Sequence, residues 1–168
     1  MRSRRVTWPL VLVVVVAAVV AAVWRSGVVA PRFALGEQSA GSHGWDPPRQ
    51  TITIRNDGWT EMTLLAVGRD GPGLRLVGTD VVLPYRLGAG RSVSIELRYV
   101  VTDCGEVPVG AWPVPVTADA ATGPYLRYFW LPPEEVGPGW PVGGPGLVAW
   151  QRAISWGSCH SVYDVRPG

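Results

Sequence analysis

No lysine occurs in this chain, and all 15 of its basic residues are arginine. That pattern fits the codon bias of a GC-rich bacterial source better than any mechanism. Histidine is confined to His43 and His160, and thiols to Cys104 and Cys159. A hydrolytic site needs a nucleophile, a base and a group that orients the base, and this inventory barely supplies one set. Gly157-Ser158-Cys159-His160 groups a hydroxyl, a thiol and an imidazole, but residues adjacent in sequence rarely converge on one centre, and no G-x-S-x-G elbow is present. Glu134-Glu135 follows Pro132-Pro133 and is read as a solvated loop rather than a glycosidase pair. Gly137, Gly139, Gly143, Gly144 and Gly146 are interleaved with prolines and form no nucleotide-binding fingerprint. The expectation is therefore a non-enzyme with no catalytic residue, no cofactor and no resident metal.

Concentrated positive charge is missing too. The formal charge is +2, but setting aside Arg2, Arg4, Arg5 and Arg25 leaves 11 arginines against 13 acids, a net of −2. The remaining arginines are scattered singly, whereas phosphate backbones require a basic patch. No nucleic-acid partner is expected.

What the chain does have is an unbroken apolar run from Trp8 to Trp24, preceded by three arginines and closed by Arg25. Seventeen helical residues span roughly 25 Å, slightly under a hydrocarbon core of about 30 Å, and tryptophans at both ends suit the two interfaces. Leu10 to Val23 holds only Val, Leu and Ala, so a helix there has no polar side to turn to water. The run is read as a membrane-spanning segment, with the lipid bilayer as partner of residues 8–24. The cleavage sites after it are poor. Val28 and Ala30 would place Pro31 after the cut, and Arg32 with Ala34 puts a bulky charge where a small residue is needed. An uncleaved signal anchor is expected, with the amino terminus cytoplasmic by the positive-inside bias and the rest extracytoplasmic. The alternative is secretion after cleavage.

An exterior location permits oxidation, so Cys104 and Cys159 are read as a disulfide. The alternative is a metal or redox site of Cys104, Cys159 and His160, with Asp103. It lacks a CxxC, and His43 lies far off in a Gly-rich stretch.

About 120 residues remain for one domain. Residues 31–48 read as a tether or first edge strand, with Phe33, Leu35 and Trp45 as apolar points. Ile52 and Ile54 alternate with threonines up to Asn56-Asp57-Gly58, a strand and its turn. Thr60 to Gly68 is apolar on both faces, which predicts a central or doubly covered strand. Short strands are expected at Leu74 to Val77 and Val81 to Leu83, around Asp70-Gly71-Pro72-Gly73. Val93, Ile95, Leu97 and Tyr99 alternate with polar residues in the clearest period of two. Pro113 and Pro115 share a parity within Trp112 to Ala118, which predicts a sheet edge or an extended segment. Tyr125 to Leu131 reads as a last aromatic strand. Leu147, Trp150 and Ile154 then recur at helical spacing, predicting a short helix from Leu147 to Ser155, ended by Gly157 and fastened to the sandwich by Cys159.

About seven short strands divided by Gly and Pro turns predict an all-β antiparallel sandwich over residues 49–131, with a barrel as the second choice. Residues 1–30 then form the cytoplasmic stub and anchor, and 132–168 a Pro/Gly-rich loop with a helical tail. Ile52-Thr53-Ile54-Arg55-Asn56-Asp57-Gly58 and Leu87-Gly88-Ala89-Gly90-Arg91-Ser92-Val93-Ser94-Ile95 resemble bacterial immunoglobulin-like domains, where a strand ends at Asn-x-Gly and a later one follows a Gly-rich turn. The resemblance covers residues 48–131. It implies an immunoglobulin-like fold and a cell-envelope setting, and it carries over no functional residue. Trp130, Trp140 and Trp150, amid Pro and Gly, are the candidate contacts for an envelope protein or glycan, the alternative being that they cover the core. The expected function is a membrane-anchored extracytoplasmic interaction or envelope-structural module; the alternative is a secreted accessory domain that binds metal or glycan, or assists a partner enzyme.

Overall fold

A computed structural model describes residues 7–26, 30–36, 47–120, 123–136 and 146–163. Its first element, α1 (Thr7–Ser26), is long and apolar enough to cross a membrane, and none of that span is buried within the fold. Twenty residues at about 1.5 Å each reach roughly 30 Å. The helix ends on the domain that follows. The Ser26 carbonyl accepts the Trp59 N–H at 2.9 Å and the Thr60 hydroxyl at 3.1 Å, which satisfies one of the carbonyls a helix terminus leaves over.

Eight strands build two antiparallel sheets. In the first, β1 (Phe33–Leu35), β2 (Arg49–Asn56), β6 (Ser92–Val101) and β4 (Leu74–Thr79) lie in the order β1-β2-β6-β4. In the second, β5 (Tyr85–Leu87), β3 (Met62–Val67), β7 (Val114–Ala120) and β8 (Gly123–Phe129) lie in the order β5-β3-β7-β8. Alternation decides which face is buried. Ile52 pairs with Ile95 and Ile54 with Val93 on the inner side, while Thr53 and Ser94 meet on the outer side with hydroxyls 2.9 Å apart. Leu64, Val116 and Ala118 of the second sheet join Ile52, Ile95 and Leu97 of the first in one core.

The strand β3 is indeed central in its sheet. Its double-sided apolarity has a further cause: the register against β7 shifts between Leu64 and Ala66. This irregularity changes parity, so Met62, Leu64 and Val67 are all buried.

Two turns interlock at one end of the sandwich. Asn56 is buried, and its amide donates to the Thr60 carbonyl at 2.8 Å and the Leu87 carbonyl at 3.0 Å while accepting from the Gly58 N–H at 2.9 Å. The Gly90 N–H donates to the Asn56 carbonyl, and Gly90 takes φ +66°, which its missing side chain permits. The Asn-x-Gly turn and the Gly-rich turn are thus one structural unit.

Four sequence expectations need correction. Strand β7, expected at an edge or as an extended segment, is extended but lies between β3 and β8. Pro115 is tolerated because its carbonyl faces Gly68, just past the end of β3, where no ladder bond depends on its missing N–H. No strand forms over Val81 to Leu83; the strand comes instead at Tyr85–Leu87, after the cis Leu83-Pro84 bond. Glu134 and Glu135 are not in a solvated loop. They belong to β9 (Glu134–Val136), paired with β10 (Gly146–Val148), and Glu134 is buried, since Pro132-Pro133 does not stop the extended backbone, although β8 has already ended at Phe129. The final helix, α2 (Trp150–Tyr163), begins later and ends later than predicted, and Gly157 lies within it. An exposed glycine there costs about 1 kcal/mol, which the buried face of Trp150, Ala153 and Ile154 offsets.

Candidate functional site

Strand β8 closes one edge of the second sheet, and among the described residues no strand pairs with its far side. Residues of one parity reach across to β1, although of these only Phe129 is buried and Tyr125 keeps 39% of its surface. Phe129 is buried against the Phe33 ring at 5.5 Å, and Tyr125 meets the same ring edge-on at 6.2 Å. Between them the Arg127 guanidinium donates to the Phe33 carbonyl and lies 5.8 Å from the Phe33 ring and 5.2 Å from the Phe129 ring. This one side chain ties β8 to β1, the edge strand of the other sheet.

The alternate residues of β8 have no such cover. Leu126 and Tyr128 retain 49% and 50% of their surface, and Trp130, two residues further along, retains 65%. Opposite them on β7 stand Thr117 and Pro115, so the neighbourhood adds no charge. The result is an apolar, aromatic stripe beside a backbone edge that no described strand pairs with. Native proteins usually guard such an edge with charge, bulges or cover, because it accepts another strand.

The three tryptophans singled out in the sequence do not form one surface. Trp130 is exposed beside this stripe. Trp140 lies outside the described residues. Trp150 is completely buried at the start of α2, so it belongs to the core and not to a binding face. Its ring packs 5.8 Å from Tyr99 and 5.7 Å from Trp112, and its Nε1 donates to the Trp112 carbonyl at 3.1 Å. Gln151 follows it inward and donates to the Gly110 carbonyl. Helical phase puts Trp150 on the same inward face as Ile154, and that spacing was the signal for core.

Leu126 and Tyr128 were not recognised as site residues from the sequence. Apolar residues occupy both parities from Tyr125 to Trp130, and only the tertiary position of β8 shows which parity is left uncovered.

Cys104 and Cys159 form a disulfide with Cα atoms 5.5 Å apart, tying the segment after β6 to α2. Both sulfurs are thereby taken up. Among the described residues, no three His, Cys, Asp or Glu side chains gather in a way that would hold a metal ion, and the His160 side chain is not among those described. Of the described ionisable groups, Tyr99 is strongly perturbed: burial, reinforced by the nearby negative charge of Asp70, pushes its phenol well above the ordinary range. It sits in the aromatic core and has no approach for a substrate.

A separate cavity of about 440 Å³ lies where α1 meets the sandwich, lined by Trp24, Arg32, Phe33, Asp57, Tyr125 and Arg127 among others. Its residues come from four places in the chain, so no local motif could announce it.

No protein-family model matches this chain, and no curated protein matches it. Among solved structures it is similar to the secreted serine protease VesC from Vibrio cholerae, at 16% identity and a TM-score of 0.35, over 64% of this chain and 24% of that one. This chain thus spans about a quarter of that protein's length, and a likeness at that score carries no argument about fold or activity.

Proposed function

We propose that this chain is a membrane-anchored extracytoplasmic module, built on an immunoglobulin-like sandwich, that binds a protein partner along β8. The anchor reading rests on α1, whose apolar span is exposed throughout. The disulfide supports an oxidising compartment. The strand order supports the fold assignment: β1-β2-β6-β4 corresponds to A-B-E-D, and β3-β7-β8 to C-F-G, with β5 added beside C. Unlike antibody domains, the disulfide here leads to a terminal helix and does not bridge the sheets.

The observation that carries the binding function is the stripe of Leu126, Tyr128 and Trp130 on an edge left unpaired among the described residues. An extended segment of a partner added there would gain main-chain hydrogen bonds from β8 and apolar contact from the stripe. Aromatic side chains of this kind dominate interface energetics.

The test places a photoreactive amino acid at Leu126 in one version of the full-length membrane protein and at Arg75, exposed on β4, in another. The Leu126 version should give a discrete crosslinked protein adduct in cells, and the Arg75 version none. Trp130→Ala should remove the adduct while leaving the melting temperature within about 2 °C, as expected for an exposed side chain. Equal crosslinking from both positions, or an adduct indifferent to Trp130, would count against β8 as the binding edge.

A further inference from the structure

The junction between α1 and the sandwich is a built cavity, and its chemistry is unlike that of the β8 stripe. Trp24, in the last turn of α1, lines it together with Phe33 and Tyr125. Two arginines line it, Arg32 and Arg127. Its one lining carboxylate, Asp57, is already bonded to Arg55 at 3.1 Å. Among the described residues, no carboxylate pairs with Arg32 or Arg127. Among the described residues the lining thus holds two arginines against one carboxylate.

Arg127 is also held in place before any ligand arrives. Its donation to the Phe33 carbonyl and its place over the Phe33 and Phe129 rings restrict where the guanidinium can lie. A guanidinium has five N–H donors, so donors remain for an oxyanion. A planar cation held in this way suits the paired oxygens of a phosphate better than a flexible ammonium does.

Position selects the source of that phosphate. The Ser26 carbonyl is bonded to the turn that holds Trp59 and Thr60, which keeps this end of the sandwich against the helix terminus. Trp24 and Trp59 are both largely exposed at that level, as suits residues that lie among headgroups. We propose that the cavity seats the phosphate of an anionic phospholipid from the outer leaflet, gripped by Arg32 and Arg127. The inference rests on the reading of α1 as a membrane anchor. Bound lipid would fix the orientation of the sandwich and so the direction in which β8 faces.

The full-length protein, purified in detergent, is mixed with equal amounts of phosphatidylglycerol and phosphatidylcholine, and native mass spectrometry reads the lipid retained after the micelle is stripped. Selective retention of one phosphatidylglycerol is expected. Arg32→Gln should reduce it by about tenfold, the loss of one charge-assisted contact. Arg32 suits this substitution because no side-chain bond of the fold depends on it among the described residues. Arg75→Gln, which removes a remote exposed arginine, should change nothing. Equal retention of both lipids, or unchanged retention in Arg32→Gln, would overturn the inference. Displacement of the lipid by inorganic phosphate would overturn the lipid assignment in favour of a free-phosphate site. Alkaline carbonate extraction of membranes separates the two readings: release of the protein sinks the anchor and this site together, whereas membrane retention without lipid selectivity sinks only this site.

Discussion

Among the described glycines Gly71 leaves the least room for a side chain, and Gly71→Ala puts that to the test. Gly71 opens a short turn, exchanging backbone hydrogen bonds with Leu74 at 2.8 and 3.0 Å, and the Trp112 indole occupies the space a Cβ would fill. A Cβ at this position would stand 0.8 Å from Cζ3 and 1.1 Å from Cη2 of Trp112. Non-bonded carbon atoms rest at about 3.5 Å or more, so the ring has to move aside before a side chain fits. Retreat is obstructed on other sides: the Trp150 ring lies 5.7 Å away, and the Arg69 guanidinium sits 5.7 Å over the indole. Gly71 is not in the left-handed region, so the cost is steric and not conformational. Forcing extra atoms into a packed core costs about 1–3 kcal/mol, and losing a buried Trp side chain about 3–5 kcal/mol. The substitution falls between these limits, at about 3 kcal/mol. For a domain of this size that lowers Tm by about 10 °C. The assay is thermal unfolding of the full chain in detergent, followed by near-UV circular dichroism of the tryptophans. A double-mutant cycle isolates the cause. In a Trp112→Ala background, Gly71→Ala should cost less than about 0.5 kcal/mol, because the obstruction is gone. If it costs as much there as in the parent, Trp112 is not the obstacle and the packing argument fails.

Other parts of the fold give further expected outcomes. Cys159→Ser opens a loop with a sequence separation of 55 and should lower stability by about 4 kcal/mol, measured as a shift in the urea midpoint. Asn56→Ala leaves the Thr60 and Leu87 carbonyls without that donor and the Gly58 N–H without its acceptor, and should cost about 2–3 kcal/mol in the same assay. Tyr99 is held neutral by burial, so its full contribution is present below the unfolded phenol pKa of about 10 and is eroded above it by about 1.4 kcal/mol per pH unit, because only the unfolded state releases the proton. Urea titrations above pH 10 should show a shallower decline for Tyr99→Phe than for the parent; identical slopes would mean that Tyr99 ionises in the folded protein.

Elements whose signal is local were legible in the sequence. The Val93 to Tyr99 alternation became β6, Ile52 and Ile54 became the core of β2, and Asn56-Asp57-Gly58 became its turn. The Cys104–Cys159 bond followed from compartment and scarcity. What failed depended on tertiary neighbours. Pro113 and Pro115 suggested an edge because a sequence does not reveal that β3 stops at Val67, beside Pro115. Gly157 suggested a helix end because the packing that carries α2 past it lies on other strands. The β8 stripe was hidden by apolar residues on both parities, and the cavity at the helix junction by the distance in sequence between Arg32 and Arg127.

The central claim is that α1 holds an oxidised sandwich on the outer side of a membrane. Protease added to intact spheroplasts of a bacterial host, with tags at both termini, tests it most directly. The account predicts digestion of the carboxy-terminal tag, protection of the amino-terminal tag, and retention of the amino-terminal fragment in the membrane. Protection of the carboxy-terminal tag, or recovery of the sandwich as a soluble protein lacking α1, would contradict it.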